Sequence, residues 1–97
     1  MRVRNYRKRR PEPRDVLLLI EVADSSLAGD QGEKAELYAT AEIKDYWIIN
    51  LLELCIEVYR EPRRGKYAEC NAYHFGQSVS PLTYPKVTLD VNYVFAQ

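Results

Sequence analysis

Two charged residues, Glu21 and Lys34, are the candidates for a reactive site in this sequence. Glu21 follows an apolar run that begins at Val16, and Lys34 comes thirteen residues later. A carboxylate can hold Mg²⁺ through its oxygen atoms, and an ammonium group can steady an attacking water molecule or stabilise charge that develops on a phosphate. Because no histidine or cysteine lies nearby in the sequence, this pair favours metal-assisted hydrolysis of a phosphodiester bond.

A buried strand over residues 16–22 is predicted to position Glu21. The other residues of this run are Leu, Ile and Val on both faces, which is typical of a parallel strand that is covered on both sides. In open α/β sheets, ligands bind outside the carboxyl ends of parallel strands, and Glu21 lies near such an end. Alternation along the strand places Glu21 on the same face as Leu17 and Leu19, where a crossover helix could pack.

A helix over residues 31–41 is predicted to position Lys34. Asp30 and Glu33 have the spacing of a capping box, and Lys34 lies in the predicted first turn, near the carboxyl end of the strand. The inward face of this helix is predicted to hold Lys34, Leu37, Tyr38 and Ala41. Lys34 and Glu21 can therefore meet. A structural ion pair is the alternative interpretation, although buried pairs add little net stability over apolar residues of the same size.

The remaining pattern completes an α/β domain with a mixed sheet. Residues 46–50 form a second buried strand, which a crossover connection makes parallel to the first. Two strands around the segment 61–65, where Pro62 and Gly65 favour a turn, predict an antiparallel hairpin. A short strand is predicted over residues 87–91, followed by one turn of helix. The prediction is one crossover helix and a C-terminal antiparallel hairpin.

A magnesium site usually draws on more than one acid. Asp15 shares the strand face of Glu21, but six residues of extended chain place it roughly 20 Å away. Asp24 and Asp30 are closer in sequence, but each has a simpler role, in a turn and as a helix cap. The residues themselves therefore do not identify a second acid that would bind the metal with Glu21.

Three aromatic residues admit two interpretations. Tyr38, Tyr46 and Trp47 could form a platform on which nucleic-acid bases stack. Their positions in periodic apolar segments instead favour packing in the core, which is the interpretation preferred here.

The charge is distributed unevenly along the chain. Six bases and no acids fall within the first ten residues, which leaves eight bases against 14 acids in residues 11–97. We therefore divide the chain into a basic arm, residues 1–14, and a domain, residues 15–97. The side chains of Arg7, Lys8, Arg9 and Arg10 could contact the phosphates of DNA, and a solvated tail is the simpler alternative.

No apolar run is long enough to span a bilayer or to act as a secretory signal. We therefore expect a soluble, cytoplasmic protein without membrane contact.

The stretch "DVLLLIEVADSSLAGDQGEKAELYATAEIKDYWIINLLELCIEVYR", together with "GQSVSPLTYPKVTLDV", resembles the putative restriction endonuclease family of bacteria, within the PD-(D/E)XK nuclease superfamily. The resemblance covers residues 13–95. It implies a restriction-endonuclease-like core and a Mg²⁺-dependent DNA endonuclease site. It also implies that Glu21 and the backbone carbonyl of Val22 bind the metal. Ala23 occupies the usual lysine position of the superfamily, and Lys34 of the following helix takes that role.

The resemblance also implies a difference from the family. Family members have an N-terminal half that supplies the first catalytic aspartate, so we expect residues 15–97 to be a truncated domain that lacks this half, with an incomplete site. The alternative is a catalytically inactive derivative that serves in oligomerisation or nucleic-acid binding. Uncovered sheet edges and apolar faces invite pairing with another chain, so we expect a homo-oligomer.

Overall fold

The computed structural model describes residues 16–24 and 28–96. The basic arm and Asp15 lie outside these ranges. The described elements are the strands β1 (Leu19–Ala23), β2 (Asp45–Asn50), β3 (Cys55–Arg63), β4 (Lys66–Tyr73), β5 (Ser78–Val79) and β6 (Leu89–Asp90), and the helices α1 (Ala28–Thr40) and α2 (Val91–Phe95).

Strands β1 to β4 form a mixed sheet in the order β1-β2-β3-β4. β1 runs parallel to β2, with Glu21 opposite Ile48, and α1 connects the two strands. β3 runs antiparallel to both β2 and β4. The predicted α/β architecture, with one crossover helix, a mixed sheet and an antiparallel hairpin, is confirmed.

β1 differs from its prediction in length and in burial. It begins at Leu19 and not at Val16, and Ile20 and Val22 are exposed, Val22 by 63%. Among the described strands β1 pairs only with β2, so it lies at an edge of the sheet. The prediction of a strand covered on both faces was wrong, because an apolar run does not distinguish a central strand from an edge strand.

Helix α1 begins at Ala28, so Asp30 lies within its first turn and is not the N-cap that the capping-box spacing predicted. Lys34 consequently lies in the second turn. Ala39 is buried and Tyr38 is half-buried, whereas Leu37 is 62% exposed. The prediction that Leu37 faces inward was wrong, because the ring of Tyr38 takes the contact with the sheet.

The hairpin turn lies between β3 and β4 at Arg64 and Gly65. Their φ angles of 53° and 79° match a type I′ turn, which suits the twist of a two-residue hairpin. Pro62, predicted to be part of the turn, lies within β3 opposite Tyr67. The strands therefore extend further than the turn residues suggested.

The apolar core covers the sheet face opposite Glu21. Trp47 of β2 and two β3 residues, Ile56 and Val58, pack there against Val79 and Val91 of the C-terminal segment. One turn of helix was predicted after a strand over residues 87–91; α2 instead begins at Val91, and the strand β6 ends one residue before it. In the ranges 16–24 and 28–96, no helix has both the length and the apolar character needed to cross a bilayer.

Candidate active site

Glu21 and Lys34 meet in the structure. The Nζ atom of Lys34 lies 3.7 Å from Oε1 of Glu21, and the side chains are 53% and 28% exposed. β1 points Glu21 to the face on which α1 packs, and the second turn of α1 brings Lys34 alongside. The sequence led us to expect this contact, but with a more deeply buried carboxylate. The pair is instead open to solvent.

Two tyrosine hydroxyls bind the carboxylate of Glu21. The hydroxyl of Tyr38, on α1, donates to Oε2 at 2.8 Å. The hydroxyl of Tyr46, on β2, donates to Oε1 at 3.0 Å. Each carboxylate oxygen therefore has its own donor, and the two donors come from different elements.

The tyrosine rings belong to an aromatic cluster between α1 and the sheet. The ring of Tyr46 is fully buried and lies 4.9 Å from the ring of Tyr38, 5.5 Å from that of Tyr59 and 6.1 Å from that of Tyr67, measured between centroids. The hydroxyl of Tyr67 donates to the carbonyl oxygen of Ile43 at 2.6 Å, which ties the cluster to the chain between α1 and β2.

The aromatic side chains were predicted to pack in the core, and the burial of Tyr46 and Trp47 confirms this prediction. The contacts of the Tyr38 and Tyr46 hydroxyls with Glu21 were not predicted from the sequence. One available signal was that Tyr38 lies four residues after Lys34, on the same helical face.

Both phenols that contact Glu21 are poor acids. The hydrogen bond to Glu21 raises the pKa of Tyr38, and burial adds to this effect. Burial is the largest cause that raises the pKa of Tyr46, followed by its hydrogen bond to Glu21. Both hydroxyls therefore keep their protons and remain donors at neutral pH.

Glu57 is a second carboxylate on the same face of the sheet. Glu57 pairs with Ile48, and Ile48 pairs with Glu21. Two strand spacings, about 10 Å, therefore separate the backbones of the two acids. The amide of Asn50 and the hydroxyl of Tyr59 donate to Glu57 at 3.0 and 3.2 Å. Across the described part of the chain, no group of three or more His, Cys, Asp or Glu side chains is placed to hold a metal ion.

Asp45 is an acid whose surroundings contrast with those of Glu21. Its carboxylate is fully buried and accepts hydrogen bonds from Trp47 Nε1 at 2.7 Å, Arg60 Nε at 2.9 Å and the amide of Leu82 at 2.9 Å. These contacts pin the segment before β6 to the sheet. Glu21 differs because its side chain and its cationic partner both reach solvent.

The carboxylate oxygens of Glu21 are the type of ligand atom that binds Mg²⁺. Magnesium prefers oxygen ligands, keeps several of its waters, and is commonly bound through one or two carboxylates. A carboxylate has about four lone-pair positions, and the two tyrosines use two of them. Because the ammonium group of Lys34 also lies 3.7 Å from Oε1, the position that stays available for a cation or for water is chiefly on Oε2.

Comparison with protein-family models matches residues 2–92 to the Uma2 family, described as "Putative restriction endonuclease". Searches of curated proteins and of solved structures gave no match. The matched range contains all of β1 to β6 and α1, and the mixed sheet with its helix after the first strand agrees with a restriction-endonuclease-like fold. The chain belongs to the Uma2 family of restriction-endonuclease-like proteins.

Proposed function

We propose that this chain takes part in Mg²⁺-dependent hydrolysis of phosphodiester bonds in DNA. Family membership supports a nuclease. The observation that carries the proposal is the solvent-open pair of Glu21 and Lys34, 3.7 Å apart at the parallel edge of the sheet. An acid and a cation in contact suit a reaction in which a metal and a phosphate occupy one site.

The roles of the residues follow from their chemistry. Glu21 and the carbonyl oxygen of Val22 would hold Mg²⁺. When bound, the metal lowers the pKa of a coordinated water and stabilises negative charge on the phosphate. Lys34 places a positive charge beside Glu21, where it can attract the phosphate and stabilise the charge that develops during hydrolysis.

The ion pair between Glu21 and Lys34 contributes little to the stability of the fold. An ion pair exposed to solvent contributes about 0–1 kcal/mol, because water screens the charges and two long side chains lose freedom. Asp45 and Arg60 already provide a buried ion pair between β2 and β3, and both side chains also hydrogen-bond to the backbone of the C-terminal segment. A functional role for Glu21 and Lys34 is therefore favoured over a structural one.

Cleavage of supercoiled plasmid DNA in Mg²⁺ tests the proposal, with Glu21→Gln compared with the wild type. Glu57→Gln is a matched control, because Glu57 lies on the same sheet face and also accepts a hydrogen bond from a tyrosine. We expect Glu21→Gln to lose cleavage and Glu57→Gln to keep it. Equal loss in both variants would contradict the assignment to Glu21.

Three expectations from the sequence stay predictions. Arg7, Lys8, Arg9 and Arg10 lie outside the described residues, so contact of the arm with DNA is a proposal for binding experiments. The truncated domain, whose first catalytic aspartate another chain would have to supply for cleavage, and the cytoplasmic location are proposals of the same kind. A catalytically inactive binding or oligomerisation module remains the alternative, and absence of Glu21-dependent cleavage would favour it.

A further inference from the structure

The carboxylate of Glu21 is held at both of its oxygen atoms. Tyr38 donates to Oε2 from α1 at 2.8 Å, and Tyr46 donates to Oε1 from β2 at 3.0 Å. Rotation of the carboxylate would break one or both bonds. Two donors on different elements therefore fix both the direction of the side chain and the plane of its oxygens.

The donors are themselves held in place. The ring of Tyr46 is fully buried between the rings of Tyr38, Tyr59 and Tyr67. A tyrosine ring packed on several sides has little freedom to turn, so its hydroxyl oxygen occupies a defined point. Glu21 receives from this cluster an orientation that its own flexible side chain would not keep in water.

The side of Glu21 that faces away from the tyrosine cluster is open to solvent. The side chain is 28% exposed, and Lys34 approaches Oε1 from a half-exposed position on α1. A carboxylate that is fixed on its protein side and free on its solvent side is suited to metal binding, because partners of a ligand orient it and tune its affinity.

We propose that Tyr38 and Tyr46 are positioning residues, whose hydroxyls hold Glu21 in the orientation in which it binds a divalent cation. This inference rests on the proposed function of Glu21. The competing explanation is that the two hydrogen bonds only attach α1 to the sheet. Under that explanation, loss of a hydroxyl changes stability and leaves metal affinity unchanged.

Tyr67 supplies a matched control for the two explanations. It belongs to the same aromatic cluster, and its hydroxyl donates to the carbonyl oxygen of Ile43 and not to Glu21. Tyr67→Phe therefore removes a hydroxyl that ties elements together without touching the carboxylate. Tyr38→Phe and Tyr46→Phe remove the hydroxyls that do touch it, and all three variants keep the ring.

The experiment titrates each purified variant with Mn²⁺ alone. Binding is measured as the loss of the electron paramagnetic resonance signal of free Mn²⁺. Plasmid cleavage and thermal unfolding are measured on the same samples. We expect Tyr38→Phe and Tyr46→Phe each to weaken Mn²⁺ binding about tenfold to a hundredfold, as partners of metal ligands typically do. Tyr67→Phe is expected to bind Mn²⁺ like the wild type even if it unfolds at a lower temperature.

The outcomes separate this inference from the proposed function. Wild-type affinity in both Tyr38→Phe and Tyr46→Phe, with binding abolished in Glu21→Gln, would overturn the positioning role alone. Glu21-dependent Mn²⁺ binding without any cleavage would overturn the nuclease proposal and leave the positioning role intact. Absence of Glu21-dependent binding in the wild type would overturn both. If Tyr46→Phe fails to fold, Tyr38→Phe on the helix still decides the question.

Discussion

The Nζ atom of Lys34 lies 3.7 Å from Oε1 of Glu21, and a parallel strand and the helix that follows it bring the two residues together. The hydroxyl of Tyr46 donates to the same oxygen atom. One carboxylate oxygen therefore has a cation and a phenol as neighbours, and the removal of each neighbour is expected to have a different effect.

Lys34→Gln is expected to lower Mg²⁺-dependent plasmid cleavage by about 100-fold or more, because it removes a charge that stabilises the transition state. The melting temperature should change little, since the ion pair is half-exposed. Lys44→Gln removes an exposed charge from a groove lined by Glu42 and Arg63 and serves as the control. Equal cleavage by Lys34→Gln and the wild type would contradict a catalytic role for the ammonium group.

Asp45→Ala is expected to lower the free energy of unfolding by about 3–5 kcal/mol, because it leaves Arg60 largely buried without its partner. Urea denaturation measures the change. Glu61→Ala breaks the exposed ion pair with Arg63 and should cost less than about 1 kcal/mol. Similar losses in both variants would show that burial does not set the strength of these pairs.

Alkaline conditions should destabilise the fold through the tyrosine cluster. Burial is the main cause that raises the pKa of Tyr67 to about 12, with a contribution from the charge of Asp45. An unfolded tyrosine has a pKa of about 10. Because the folded pKa is higher, the stability contributed by neutral Tyr67 is fully present below about pH 10 and is lost as the pH rises towards 12.

Urea denaturation at pH 9 and at pH 11 measures this loss. Tyr67→Phe cannot ionise at this position and should lose less stability between the two pH values than the wild type. An equal loss in the two proteins would mean that Tyr67 does not contribute to the alkaline transition.

Self-association is expected through β1. This strand is at an edge of the described sheet, and the side chain of Val22 is 63% exposed. Val22→Lys should shift the protein towards a monomer of 11.3 kDa in sedimentation equilibrium, because a lysine on an edge strand opposes pairing. Val87→Lys alters an exposed valine outside the strands and is the control. A monomeric wild type would contradict the expectation.

The contact between Glu21 and Lys34 could be predicted from the sequence because it depends on local rules. Alternation along the strand placed Glu21 on the helix-covered face, and the position of Lys34 early in the helix placed it near Glu21. This held even though the helix begins three residues before its predicted start. The hairpin and the parallel pairing of β1 with β2 followed from turn residues and from the crossover rule.

The tyrosine contacts could not be predicted because they depend on how elements register in space. The hydroxyl of Tyr46 reaches Glu21 only because Leu19 pairs with Tyr46 across the two strands. A periodic pattern identifies the apolar ring of a tyrosine but does not show where its hydroxyl points. The bonds of Asp45 to Arg60 and to the amide of Leu82 were missed for the same reason, since they join residues 15 and 37 positions apart.

The rate of Mg²⁺-dependent nicking of supercoiled plasmid, measured side by side for the wild type and Glu21→Gln, decides whether Glu21 belongs to a nuclease site. The wild type is expected to nick the plasmid in Mg²⁺ and not in EDTA, and Glu21→Gln to be slower by about 100-fold or more. Glu57→Gln, prepared in the same way, should match the wild type. Equal rates for the wild type and Glu21→Gln would contradict a nuclease site at Glu21 in this chain.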